Sequence, residues 1–166
     1  MSNVILVGMP GCGKSTVGVV LAKSLGYDFT DTDLIISKKV GKKLQSIIDE
    51  DGIDYFLKAE NQVGKELCCQ ETVVATGGSM IMNEDAVKHL KSIGKIVYIN
   101  VPLATLKKRI TNMKTRGIVF GKGETLDDVF ANRTPLYEKY ADIIINVSKS
   151  NSLEQTVNKI VKELAK

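Results

Sequence analysis

The segment Gly8-Met9-Pro10-Gly11-Cys12-Gly13-Lys14-Ser15-Thr16 fits the pattern G-x-x-x-x-G-K-[ST]. The chemistry this implies is the cradling of phosphates. Glycines let the backbone wrap close to an anion, and the loop's N–H groups and the following helix N-terminus then face its charge. Lys14 can reach the β- and γ-phosphates of a nucleotide, and the Ser15 hydroxyl can bind Mg²⁺. Gly11, Cys12, Gly13, Lys14, Ser15 and Thr16 are therefore the expected nucleotide contacts. The alternative is an ordinary glycine-rich turn before a helix. A second constellation is Asp31 and Asp33, at the end of an extended stretch. Spaced i, i+2 on extended backbone, both carboxylates point the same way. One can hold Mg²⁺ and the other can take the proton of an attacking hydroxyl. One of them can instead simply cap the helix that follows.

A phosphate loop alone does not separate a GTPase, a nucleotide kinase, a small-molecule kinase and a regulatory ATP sensor. The chain holds no N-K-x-D base-reading motif, which weighs against guanine specificity. Of its 23 basic residues only Arg109, Arg116 and Arg133 are arginines. Only Arg offers a planar fork to carboxylate or phosphate, so each is a candidate ligand as well as a candidate surface cation. The three cysteines, Cys12, Cys68 and Cys69, form no framework and fit a reducing cytoplasm. The single histidine, His89, lies beside Lys88 and Lys91 in a helix-like stretch and is expected at the surface. With no C-x-x-C, no H-E-x-x-H and one histidine, zinc chemistry and Ser-His-Asp catalysis are disfavoured.

The elements that must position these residues alternate regularly. Strands are expected over Val4–Val7, Tyr27–Thr30, Thr72–Ala75, Ile96–Val101 and Ile143–Val147. Helices are expected over Lys14–Leu25, Leu34–Val40, Leu44–Asp49, Ile53–Cys69, Glu84–Lys91, Leu103–Met113, Leu126–Tyr140 and Leu153–Leu164. This alternation predicts an α/β domain with a mainly parallel, five-stranded sheet. Arg116–Gly123 holds Gly117, Gly121 and Gly123 and reads as a mobile loop. The 166 residues suit one domain, 1–166, and the 43% hydrophobic and 25% charged fractions argue against disorder. The net charge of +4 demands no nucleic-acid partner, and no apolar run approaches a membrane span. Met1 to Gly8 has no basic residue and leads straight into the phosphate motif, so no signal peptide is expected.

Taken together and in order, these residues resemble the shikimate kinase family, small relatives of the nucleoside monophosphate kinases. The resemblance spans essentially the whole chain. It rests on the phosphate loop, Asp31-Thr32-Asp33, Phe56 with Glu60, Gly77-Gly78, Arg109, Arg116 and Arg133-Thr134-Pro135-Leu136-Tyr137. It implies a three-layer P-loop kinase fold with an acceptor-binding helical segment at about 32–62 and a mobile lid at about 114–124. Asp31 then matches the magnesium-side acid, and Asp33 the acid that holds the acceptor hydroxyls and is the candidate base. Gly77 and Gly78 match a turn lining the acceptor pocket, Arg109 an arginine packed on adenine, and Arg116 the lid arginine over the transferring phosphate. Arg133 matches the grip on the acceptor carboxylate. The implied catalytic set is Lys14, Asp33 and Arg116, with ATP as co-substrate, Mg²⁺ at Ser15 and Asp31, and a monomer in the cytoplasm.

Three positions depart from the family pattern. Leu57 stands where an acceptor-binding arginine is usual, Ser79 where a third glycine is usual, and Gly117 where a proline follows the lid arginine. Leucine cannot pair a carboxylate. If Leu57 faces the pocket, Glu60 has lost its partner, the site is less cationic, and Ser79 can offer the acceptor a hydroxyl contact. The expected activity is transfer of the ATP γ-phosphoryl to a hydroxyl of a small polyhydroxylated acid, with shikimate the leading acceptor. The competing readings are a relative with another hydroxy-acid or polyol acceptor, and a non-catalytic ATP-binding regulator.

Overall fold

The computed structural model describes residues 2–110 and 123–166. The lid expected at about 114–124, with Arg116, Gly117 and Gly121, lies outside the described residues except for Gly123 and Glu124. Five parallel strands form one sheet in the order β2-β3-β1-β4-β5. They are β1 (Asn3–Val7), β2 (Asp28–Asp31), β3 (Thr72–Ala75), β4 (Gly94–Asn100) and β5 (Ile143–Asn146). Every residue of β1 and β3 is buried, as strands covered on both faces require. The helices are α1 (Lys14–Leu25), α2 (Thr32–Val40), α3 (Leu44–Asp51), α4 (Ile53–Glu66), α5 (Glu84–Ile93), α6 (Leu103–Ile110), α7 (Leu126–Tyr140) and α8 (Leu153–Leu164).

Most elements differ from those expected by one to three residues at a boundary, and three of the shifts have a clear local reason. β4 begins at Gly94, two residues before the expected Ile96, because Gly94 pairs so tightly with Asn3 that a Cβ there would lie 2.5 Å from the Asn3 carbonyl. α2 begins at Thr32 because Asp31 caps it, accepting from the Asp33 N–H at 2.9 Å. α4 stops at Glu66, short of Cys69, where Leu67 turns extended and feeds β3. The buried Asn3 side chain pins this end of the sheet. Its Nδ2 donates to the carbonyls of Cys69 (2.9 Å) and Ile93 (3.0 Å), and its Oδ1 accepts from the Thr72 N–H. His89 is half-buried, and its Nε2 donates to the Leu67 carbonyl at 2.7 Å, tying α5 to the end of α4.

Two apolar clusters hold these elements. The larger surrounds the sheet and includes Ile5, Leu6, Val73, Val74, Ile96 and Val97. The smaller joins α2, α3 and α4 through Ile36, Ile47, Phe56 and Val63. It supports the segment expected to bind the acceptor, and Leu57 packs against it. α4 is drawn close to α5 at Gly64, where a Cβ would lie 2.6 Å from Ala86 Cβ and 2.9 Å from Met80 Sδ. Gly64→Ala overpacks this contact and is expected to destabilise the fold by about 1–3 kcal/mol. Urea denaturation reads this as a lower midpoint with an unchanged slope. An unchanged midpoint would contradict the packing described.

Candidate active site

Parallel strands bring the loops after β1, β2 and β3 to one end of the sheet, outside their carboxyl ends, where open α/β sheets bind ligands. The loop after β1 turns through left-handed glycines, Gly11 at φ 81° and Gly13 at φ 93°, and Gly13 leads directly into α1. These angles suit glycine and aim backbone amides at a common point. Lys14, only 8% exposed, lies over the loop, its Nζ donating to the carbonyls of Gly8 (2.8 Å) and Met9 (3.0 Å). The Cys12 Sγ is 3.5 Å from the same nitrogen. Arg109, on α6, donates to the Gly11 carbonyl at 3.1 Å and so lies against the outer face of the loop.

Asp31 performs two tasks. One oxygen caps α2 and the other accepts from the Ser15 hydroxyl at 2.8 Å. The cap weighed from sequence is therefore real, but it does not exclude the second role. A hydroxyl beside a carboxylate oxygen is a hard, two-donor oxygen pair. That set suits an octahedral cation that keeps waters and takes further oxygens from phosphates. Among the described residues no group of three or more His, Cys, Asp and Glu side chains could hold a metal by itself.

Asp33 has left the extended geometry expected for it and sits in the first turn of α2. Burial, reinforced by the charge of Asp31, pushes its carboxyl up to about 6, while Lys14 pulls the other way. Its carboxyl abuts the turn after β3, and a Cβ on Gly77 would lie 2.6 Å from Asp33 Oδ1. The same Cβ would lie 3.0 Å from Glu60 Oε2, on α4. Gly78 in turn backs onto the phosphate loop, where a Cβ would meet Pro10 Cδ at 2.7 Å. Through Gly77 and Gly78 the turn after β3 thus abuts Asp33 and Glu60 on one side and the phosphate loop on the other.

Helices α2, α4 and α7 grip this turn. Thr32 Oγ1 accepts from the Gly77 N–H at 3.3 Å, and Tyr137 Oη donates to the Gly78 carbonyl at 2.6 Å. Ser79 Oγ lies 2.8 and 2.9 Å from the two oxygens of Glu60. Tyr137 stacks on Tyr98, ring centroids 5.0 Å apart, and burial drives its phenol well above the ordinary range. Arg133, buried on α7, stands beside both that phenol and Glu60.

The leucine at position 57 does not leave Glu60 without partners. Leu57 belongs to the small apolar cluster, and neighbouring Lys58 is exposed. Glu60 has not lost its partners, because Ser79 and Asn83 Nδ2 (2.8 Å) donate to it. The Ser79 hydroxyl is turned to Glu60. Glu60, at 0% exposure, is pushed up to about 7 by burial, with the Ser79 hydrogen bond opposing. Asn83 and the Tyr137 bond to the glycine turn were not expected from sequence. An Asn just before a helix reads as a cap, yet the Asn83 side chain makes no cap bond.

A parallel sheet that feeds a glycine-rich loop into a helix, with a buried lysine over that loop, defines a P-loop kinase fold. The sequence and structural relatives agree. The shikimate kinase family model matches residues 10–165. A shikimate kinase of Clostridium botulinum (strain 657 / Type Ba4) is 37% identical over 157 residues, 92% of each chain. The shikimate kinase of Acinetobacter baumannii, solved in complex with shikimate, superposes with a TM-score of 0.91 at 31% identity, covering 99% of this chain and 93% of that one. The shikimate kinase of Aquifex aeolicus gives 0.83 at 32%, covering 98% and 96%. The chain belongs to the shikimate kinase family, and its class of activity is that of an ATP-dependent small-molecule kinase.

Asp33 and Glu60 both bind protons more tightly in the fold than at their ordinary values of 3.8 and 4.5. Their contribution to stability is full below those values and is lost as pH rises through about 6 and about 7. Glu60→Gln, a neutral isostere, should therefore match the wild-type melting temperature near pH ~4 and exceed it near pH ~8, where each kcal/mol is worth roughly 2–4 °C. A difference that does not change with pH would contradict the buried, proton-binding Glu60.

Proposed function

We propose that this protein transfers the γ-phosphoryl group of ATP to a hydroxyl of shikimate, giving shikimate 3-phosphate and ADP. The observation that carries the reading is the convergence of Lys14, Asp33 and the Gly77-Gly78 turn at one end of the sheet, in a chain of this family. The phosphate loop receives the nucleotide phosphates on its backbone amides, with Lys14 against the β- and γ-phosphates and Arg109 beside the adenine. Gly77, Gly78 and Arg133 line the acceptor side, where the buried Arg133 takes the carboxylate. Asp33 accepts a hydrogen bond from the attacking hydroxyl. The hydroxyl oxygen forms its bond to the γ-phosphorus as the bond to the bridging oxygen of ADP breaks, and its proton passes to Asp33. Positioning and charge supply most of the acceleration.

Ser15 and Asp31 would hold Mg²⁺, which when bound neutralises phosphate charge. Arg116 is the residue assigned to the lid side of the transferring group. The proposal takes the protein as a monomer. The three free cysteines fit a cytoplasmic protein. Leu57 keeps a second acceptor in view, because one cation fewer faces the acceptor carboxylate.

Coupled ADP release with Mg-ATP should rise strongly on adding shikimate, and a panel of other hydroxy acids and polyols should stimulate little. Stimulation by a panel member and not by shikimate would transfer the reading to that acceptor. Asp33→Asn should lower kcat by about 10²–10⁴-fold with ATP binding retained; a kcat within threefold of wild type would remove Asp33 as the base.

A further inference from the structure

Glu60 is the most enclosed charged side chain of the acceptor half, and its carboxyl touches no solvent. A buried carboxylate must be hydrogen-bonded to persist. The donors here are unusual in that both are neutral and both come from the segment following β3. Ser79 Oγ is nearly equidistant from the two carboxyl oxygens, and Asn83 Nδ2 binds Oε1. The charged groups facing Glu60 are Asp33 from α2 and Arg133 from α7. Leu57, one turn earlier on α4, contributes only apolar contact to the small cluster. One serine hydroxyl has one hydrogen, so its bond is shared between the two oxygens of the carboxylate. The carboxyl is thereby fixed in rotation about its own axis. It is fixed beside Gly77, where Oε2 lies 3.0 Å from the place a Cβ would take.

We propose that Ser79 and Asn83 are positioning residues for the transfer reaction: they clamp the Glu60 carboxylate against the glycine turn, and Glu60 so clamped sets the turn and Arg133 for the acceptor. The clamp rests on the acceptor reading given above. It lets a leucine stand at position 57, because Glu60 draws its hydrogen bonds from the turn and needs none from its own helix. It also couples α4 to the acceptor-lining backbone, and since neither Ser79 nor Asn83 bonds the phosphate loop, the acceptor side responds to the clamp more than the nucleotide side does.

Ser79→Ala should raise the acceptor KM roughly tenfold, the usual scale for a lost hydrogen bond to a charged group. The KM for ATP should stay within about twofold. Removing a donor from the ionised carboxyl makes it harder to deprotonate. The acid limb of kcat/KM for the acceptor should therefore move to higher pH in Ser79→Ala and in Asn83→Ala. In a Glu60→Gln background the same substitutions should leave the acid limb where it is, because the carboxyl that still titrates, Asp33, takes no hydrogen bond from Ser79 or Asn83. An acceptor KM within twofold of wild type and an unmoved acid limb would overturn the clamp. If Ser79→Ala fails to fold, Asn83→Ala carries the same test, because Asn83 is only half-buried. If wild-type protein does not turn over shikimate, the acceptor reading fails by itself. The clamp is then decided in the unliganded protein from the carboxyl ¹³C resonance of Glu60, identified by its loss in Glu60→Gln. A higher titration midpoint in Ser79→Ala supports the clamp, and an unchanged midpoint overturns it.

Discussion

Two carboxyl groups from different helices meet the backbone at a position where no side chain fits. Asp33 comes from α2 and Glu60 from α4, and Gly77 lies between them with its missing Cβ as the only clearance. This contact explains much of what surrounds it. Neither acid can be buried without partners. Asp33 has Lys14 near it, and Glu60 has Ser79, Asn83 and the charge of Arg133. The turn must also be rigid, or the two acids would drift together and repel. Thr32, Tyr137 and Ser79 fix it from α2, from α7 and through Glu60.

The same economy joins the turn after β3 to the phosphate loop. Gly78 allows the turn to touch Pro10 of the phosphate loop, so the loop after β1 and the loop after β3 form one wall. Asp31 completes the junction from β2, capping α2 with one oxygen and reaching Ser15 with the other. A phosphoryl group moves only a short way between nucleotide and acceptor, and near-contact of the two walls suits that requirement. The helical segment α2–α4 carries its own small apolar cluster, which lets it present Asp33 and Glu60 from a surface distinct from the sheet's core.

What was legible in the sequence was mostly local. The phosphate loop declares itself because its glycines, lysine and serine are consecutive and lie between a strand and a helix. Four of the five strands were legible as short apolar or β-branched runs and β2 from its place before Asp31-Thr32-Asp33; the largest shift of a strand start, at β4, came with the close backbone contact of Gly94 with Asn3. The acceptor side was less legible because its contacts are long-range. Ser79 and Glu60 lie 19 residues apart, and Tyr137 and Gly78 lie 59 apart. No spacing rule announces such pairs. The substitution at Leu57 therefore read as a missing partner, when the partners of Glu60 had moved to the turn after β3. His89 likewise read as surface, although its ring bonds the Leu67 carbonyl.

The central claim is that the acceptor site depends on the absence of a side chain at position 77. Gly77→Ala tests it with a single methyl group, through shikimate-dependent ADP release measured beside nucleotide binding. The account predicts a folded protein that binds ATP as wild type does, with the shikimate-dependent rate reduced at least about a hundredfold as Asp33 is displaced from the attacking hydroxyl. A rate within a few-fold of wild type would show that Asp33 and Glu60 do not need Gly77 between them, and would contradict the account.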